Sequence, residues 1–67
     1  MNIGENLRRI RMERDITQAE IAEILDVTQV FISKVESNIK RLSVEQVFEL
    51  SQMLDCSTDD IIIGKEG

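Results

Sequence analysis

Apolar residues recur along this chain at intervals of three and four, which places them on one side of an α-helix. Ile3, Leu7 and Ile10 form the first such stripe. They predict a helix from about Ile3 to Arg14, with Arg8, Arg9, Met12 and Glu13 on its other faces and Asp15 closing it. Ile21, Ala22 and Leu25 form a second stripe, within a helix from Thr17 to about Leu25. Thr17 and Glu20 have the spacing of a capping box, and the small Ala22 lets another helix approach. A third helix follows in DVTQVFISKVESN, residues 26–38. Thr28 is its N-cap, Ile32 and Val35 are an inward pair, and Asn38 suits a left-handed C-cap. The fourth runs from Ser43 to about Leu54, with Ser43 and Gln46 at capping-box spacing. Val44, Val47, Leu50, Ser51 and Leu54 are expected to face the core, with Phe48 at its edge. In a short fifth helix, Ser57 or Thr58 is the cap, Asp59 and Asp60 occupy the first turn where the helix dipole favours anions, and Ile61 to Ile63 follow.

The expected fold is therefore all-α, a compact five-helix bundle in a single domain, residues 1–67. Only Asp26 to Thr28 separate the second and third helices, with Asp26 near the left-handed region that Asp and Asn tolerate. That is a helix-turn-helix connection, which sets two helices at roughly 90–120°. Any bundle of short helices needs tight turns, so this geometry alone does not point to DNA.

Composition narrows the function. A chain of 67 residues buries only about 60% of its unfolded surface, so its stability depends on efficient packing. There is no Pro, Trp or Tyr, and there are two Phe and three Gly, which favours helices around an aliphatic core. One Cys and no His leave no intrachain disulfide and no credible metal set. The missing His also removes the commonest general base, and Cys56 follows Asp55, which does not favour a thiolate. Gly4, Gly64 and Gly67 are too scattered for a phosphate-cradling loop. No enzyme and no cofactor are expected. The polar start, MNIGENLRR, and the lack of a membrane-length apolar run predict a soluble, cytoplasmic protein without a membrane partner.

The net charge of −5 argues at first against nucleic acid. Its distribution changes the picture. Residues 1–14 carry +2, residues 15–27 carry −4, residues 28–43 carry +2 and residues 44–67 carry −5. If the fold gathers the two basic segments, the protein has a basic face despite its acidity, and steering follows the local field.

Gln18 to Ser37, QAEIAEILDVTQVFISKVES, resembles the helix-turn-helix of the phage repressor and Cro family, often called the XRE family. The family's buried positions match Ile21, Leu25, Val27, Ile32 and Val35, and its small residue matches Ala22. The likeness covers almost the whole chain. IGENLRRIR resembles the family's first helix, TQAEIAEIL its second, ISKVESN the end of its reading helix, and SVEQVFELSQMLDCSTDDIII its last two. Asp26, Asn38 and Asp55 stand where the family usually has Gly. All three are residue types that adopt the left-handed conformation, at a cost of about 1 kcal/mol each. Leu42 replaces a common Pro, which would leave that loop less rigid. The resemblance implies a lambda-repressor-like DNA-binding fold and an ion pair between Arg11 and Glu36.

It also implies that the second helix crosses the DNA backbone while the third lies in the major groove. Thr28, Gln29, Val30, Phe31, Ser33, Lys34 and Ser37 then face outward. Gln29 suits adenine, Val30 a thymine methyl, and Lys34 a guanine or a phosphate. Thr28 and Ser33 suit phosphates or base edges. Gln18 would hold a phosphate, as would Lys40 and Arg41, although these two also fit a solvated pair. Arg8, Arg9 and Arg14 add to the field if they point that way. Phe31 fits a core flank, a dimer contact or a groove-facing residue equally well. The family pattern is a homodimer on a palindrome, with Met53, Cys56, Ile62 and Ile63 as candidate dimer residues; the other possibility is that all four belong to the core.

The expected function is sequence-specific binding of double-stranded DNA by a transcriptional regulator, a repressor, with no small-molecule ligand. The competing expectation is an antitoxin or antirepressor-like module that acts mainly by binding another protein. The chain also fits a fragment of a longer repressor.

Overall fold

The computed structural model describes residues 2–64; Gly67, counted among the glycines above, lies outside them. Within this range five helices follow one another: α1 (Ile3–Glu13), α2 (Gln18–Leu25), α3 (Gln29–Glu36), α4 (Val44–Met53) and α5 (Thr58–Ile62). Each begins at a side-chain cap. Asn2, Thr17, Thr28, Ser43 and Ser57 accept a hydrogen bond from the backbone N–H three residues on. Thr17 with Glu20, Ser43 with Gln46, and Ser57 with Asp60 close full capping boxes.

Four of the helices end in one way. Asp15, Asp26, Asn38 and Asp55 have φ between 54° and 64°. The residue after each donates its N–H five positions back: Ile16 to Arg11, Val27 to Ala22, Ile39 to Lys34, and Cys56 to Ser51. This is the Schellman exit, which satisfies carbonyls that a helix end leaves open. Gly usually supplies such an exit at no steric cost, but here Asp and Asn bear it.

The core draws on every helix. Leu7 and Ile10 of α1 meet Ile21, Ala22 and Leu25 of α2, Ile32 and Val35 of α3, Val47 and Leu50 of α4, and Ile61 of α5. Leu54, just past α4, completes that end. Leu42 is buried too, so the loop before α4 is pinned by an apolar side chain instead of by a ring. Ser51 is buried with its hydroxyl donating to the Phe48 carbonyl at 2.6 Å. Val44, expected in the core, is instead 85% exposed. It is the first residue of α4, at the margin of the apolar arc, where no neighbouring helix covers it.

α1 comes close to the end of α3 at Gly4. A Cβ there would fall onto the Val35 carbonyl and lie 2.8 Å from the Asn38 side-chain oxygen. The glycine is therefore needed for helix approach, not for a phosphate loop. In an unconstrained helix Gly→Ala stabilises by about 1 kcal/mol. Here Gly4→Ala should destabilise the chain by about 1–3 kcal/mol, the usual cost of overpacking, as read from urea unfolding midpoints.

Candidate nucleic-acid interface

α3 is held against the bundle by a charged contact. Arg11 Nε donates to Glu36 Oε2 at 2.8 Å and Nη2 to Oε1 at 3.1 Å. The third arm of the guanidinium, Nη1, donates to the Ile16 carbonyl at 3.0 Å. Gln18 Nε2 donates to Glu36 Oε1 at 3.1 Å. One carboxylate at the end of α3 thus gathers α1, the turn after it, and the start of α2. The two charged side chains are 16% and 6% exposed, so the pair is largely removed from water and its two-pronged geometry is fixed.

With Ile32 and Val35 buried and Glu36 engaged, the opposite side of α3 is bare. Gln29, Val30, Ser33 and Lys34, with Ser37 at the C-cap, are exposed along one side, as is the N-cap Thr28. Phe31 is half-buried against the core. This is the core-flank placement, one of the three its sequence left open.

The start of α3 differs electrostatically from the others. α1, α2, α4 and α5 each carry an acid in the first turn, and α3 has none. Its capping position three residues on is Phe31 instead of a Glu, Gln or Asp, so no side chain offsets the positive end of the helix dipole. A phosphate would meet open amide groups there. This signal was readable in the sequence, as the one helix start without a capping-box partner.

The cations divide into two sets. Arg9 pairs with Glu13 at 3.6 Å and reaches the Asp60 carbonyl. Arg14 donates to the Leu54 carbonyl. Both are tied to the α4–α5 side of the bundle. Arg8 lines a cleft with Arg11, Gln18, Ser33, Glu36 and Ser37, on the side of α3's bare face. Lys40 and Arg41 line a second cleft with Asn2, Ile3, Gly4 and Asn38, just beyond the end of α3. Periodicity could not sort these arginines, because the carbonyls that Arg9 and Arg14 reach lie some forty to fifty positions away.

The residues expected at a dimer surface are also divided. Cys56 and Ile62 pack against the core, while Met53 and Ile63 stand out into solvent. Burial pushes the Cys56 thiol up from its usual range; Asp60 and Asp55 add to this, and Arg14 and Arg9 oppose it. The thiol is therefore a poor nucleophile at neutral pH. Among the described residues no group of His, Cys, Asp and Glu could hold a metal ion. No helix among them is long and apolar enough to cross a membrane.

Two short helices joined through three residues, the second seated by a buried ion pair and bare on its outer side, make a helix-turn-helix. The chain belongs to the helix-turn-helix family, of the phage repressor and Cro type: the family model matches residues 7–61. It is 30% identical over 64 residues to an uncharacterised HTH-type transcriptional regulator of Rickettsia prowazekii, covering 96% of this chain and 49% of that protein. It is likewise 30% identical over 60 residues to the antitoxin PezA of Streptococcus pneumoniae, covering 90% of this chain and 38% of that one. The chain thus spans about half the length, or less, of these relatives. Among solved structures, the P22 c2 repressor in complex with a synthetic operator superimposes with a TM-score of 0.83 at 31% identity. It covers 97% of this chain and 98% of that one.

The Arg11–Glu36 contact sets a measurable expectation. Removing either partner leaves the other charge buried and unmatched, so Glu36→Ala should cost roughly 3 kcal/mol. A double-mutant cycle with Arg11→Ala, read by urea unfolding, should show a coupling of about 1–3 kcal/mol.

Proposed function

We propose that this chain is the DNA-reading unit of a transcriptional repressor, which binds a palindromic operator as a homodimer with α3 in the major groove. The observation that carries this reading is the combination on α3: a rigidly anchored inner side, a bare outer side and an acid-free first turn. The likeness to an operator-bound repressor supports the same orientation.

In this reading Gln29, at the leading end of α3, makes a paired contact with adenine N6 and N7. Val30 packs on a thymine methyl, and Lys34, one turn further, meets guanine or a phosphate. Thr28, Ser33 and Ser37 supply hydroxyls to phosphates or base edges. Gln18 spends one amide N–H on Glu36, and its second N–H remains for a backbone phosphate. Arg8, Lys40 and Arg41 hold phosphates on either side. Two half-sites, about 34 Å apart, would be read by two copies. The division of the arginines explains how an acidic chain can do this. Arg9 and Arg14 are engaged by carbonyls of α5 and the end of α4, Arg11 by Glu36, and the remaining cations among the described residues lie around α3.

The likeness to PezA supports a second reading, in which the module acts mainly through another protein. Selection of binding sites from randomised duplex DNA separates the two. A palindrome should be enriched; no enrichment would move the function to protein binding. On the enriched site, Gln29→Ala should lose about 1–3 kcal/mol of discrimination at a single base pair. Lys40→Ala should weaken all sequences alike and reduce the slope of log affinity against log salt by about one.

A further inference from the structure

Gln29 opens α3 with an uncommitted amide. Its side chain is exposed, and among the described residues it enters no side-chain hydrogen bond. Gln18 and Gln46 differ in this respect. The first donates to Glu36, and the second accepts from the Ser43 backbone N–H in a capping box. The backbone that carries Gln29 cannot draw back from what the side chain touches. α3 is seated by Ile32 and Val35 in the core and by the two-pronged Arg11–Glu36 contact.

The neighbours of Gln29 offer no substitute for it. The Thr28 hydroxyl oxygen accepts from the Phe31 backbone N–H at 3.1 Å, Val30 is apolar and 62% exposed, and Ser33 lies a turn further along the helix. A Gln carboxamide matches adenine because it accepts from the N6 amino group while donating to N7. Adenine paired with thymine holds one N6–H in the base pair and turns the other to the major groove. A methyl group on N6 must leave the pairing hydrogen in place, so it takes the groove position and points toward N7. Adenine then has no donor left in the major groove, and the methyl group stands where the Gln29 side-chain oxygen would sit.

We propose that Gln29 makes binding by this chain sensitive to adenine methylation: a methyl group on N6 of the adenine that Gln29 reads releases the protein from its DNA site. This response rests on the DNA reading above and adds a chemical signal to it, the modified base that a DNA N6-adenine methyltransferase leaves. Two-fold symmetry places the two read adenines of a palindrome on opposite strands. Methylation of one strand therefore removes one Gln29 contact, and methylation of both strands removes two.

Synthetic duplexes of the sequence enriched from randomised DNA, with adenines replaced singly by N6-methyladenine, test the response through binding affinity at constant salt. At one adenine per half-site the modification should weaken wild-type binding by about ten-fold or more. On a palindromic site, a duplex modified on one strand should bind between the unmodified and the doubly modified ones. Gln29→Ala should bind the unmodified site more weakly and respond no further to methylation at that adenine. Lys40→Ala should bind every duplex more weakly but keep the wild-type ratio between modified and unmodified DNA. Both positions are exposed, and thermal melting by circular dichroism confirms that each variant folds. The response is overturned if no adenine of the site is sensitive to methylation, or if methylation strengthens binding. It is also overturned if Gln29→Ala stays as sensitive as the wild type, which would trace the effect to altered DNA deformability. In each of those cases the enriched site leaves the DNA reading standing. The absence of any enriched sequence overturns both.

Discussion

The carboxylate of Glu36 is the point on which the arrangement of α1, α2 and α3 depends. It sits at the last residue of α3 and takes hydrogen bonds from Arg11 of α1 and Gln18 of α2. Arg11 spends its remaining arm on the Ile16 carbonyl, which ties in the turn between those two helices. An ion pair removed from water contributes little net stability, because desolvation offsets attraction. Its value here is geometric. Eight residues of helix, anchored in the core only by Ile32, Val35 and the flank of Phe31, would otherwise be free to rotate or slide. The two-pronged contact fixes both motions, and so fixes where Gln29, Val30, Ser33 and Lys34 point.

The same economy governs the ends of the helices. Four left-handed exits are borne by Asp or Asn, and three of these, Asp26, Asn38 and Asp55, stand where the resembled family usually has Gly. The apolar residue following each exit turns back on the helix, and Ile16, Val27 and Cys56 are thereby drawn against the core. Ile39 follows the same backbone path yet remains 69% exposed. The loop it opens is anchored instead by the buried Leu42, and it carries Lys40 and Arg41 just beyond α3. The short turns thus position charge as well as reverse the chain.

Charge is also where average composition misleads most. A net charge of −5 does not describe the surface around α3. Arg9 and Arg14 are consumed by carbonyls of α5 and the end of α4, Arg9 also by Glu13 of its own helix, and Arg11 by Glu36. Arg8, Lys34, Lys40 and Arg41 remain exposed around α3, whose first turn is free of acid. What a partner meets is this local set.

Much of the molecule follows from the sequence alone, for a local reason. Caps such as Thr17 with Glu20, exits such as Asp26, and the stripes of Ile21, Leu25, Ile32 and Val35 act within one or two turns, so neighbouring residues suffice to place five helices and most of the core. The likeness to a known family pointed further, to a pairing of Arg11 with Glu36 across 25 positions that no periodicity could suggest. Three matters were left to the tertiary structure, because each depends on what packs nearby. The apolar arc of α4 spans Val44, Val47, Phe48, Leu50, Ser51 and Leu54, too wide for one neighbour to cover. Only the positions of the other helices left Val44 and Phe48 outside. Gly4 looked incidental until α3 was seen to pass where its side chain would be. The destinations of Arg9 and Arg14 depended on carbonyls at the far end of the chain, and those were brought within reach only by folding.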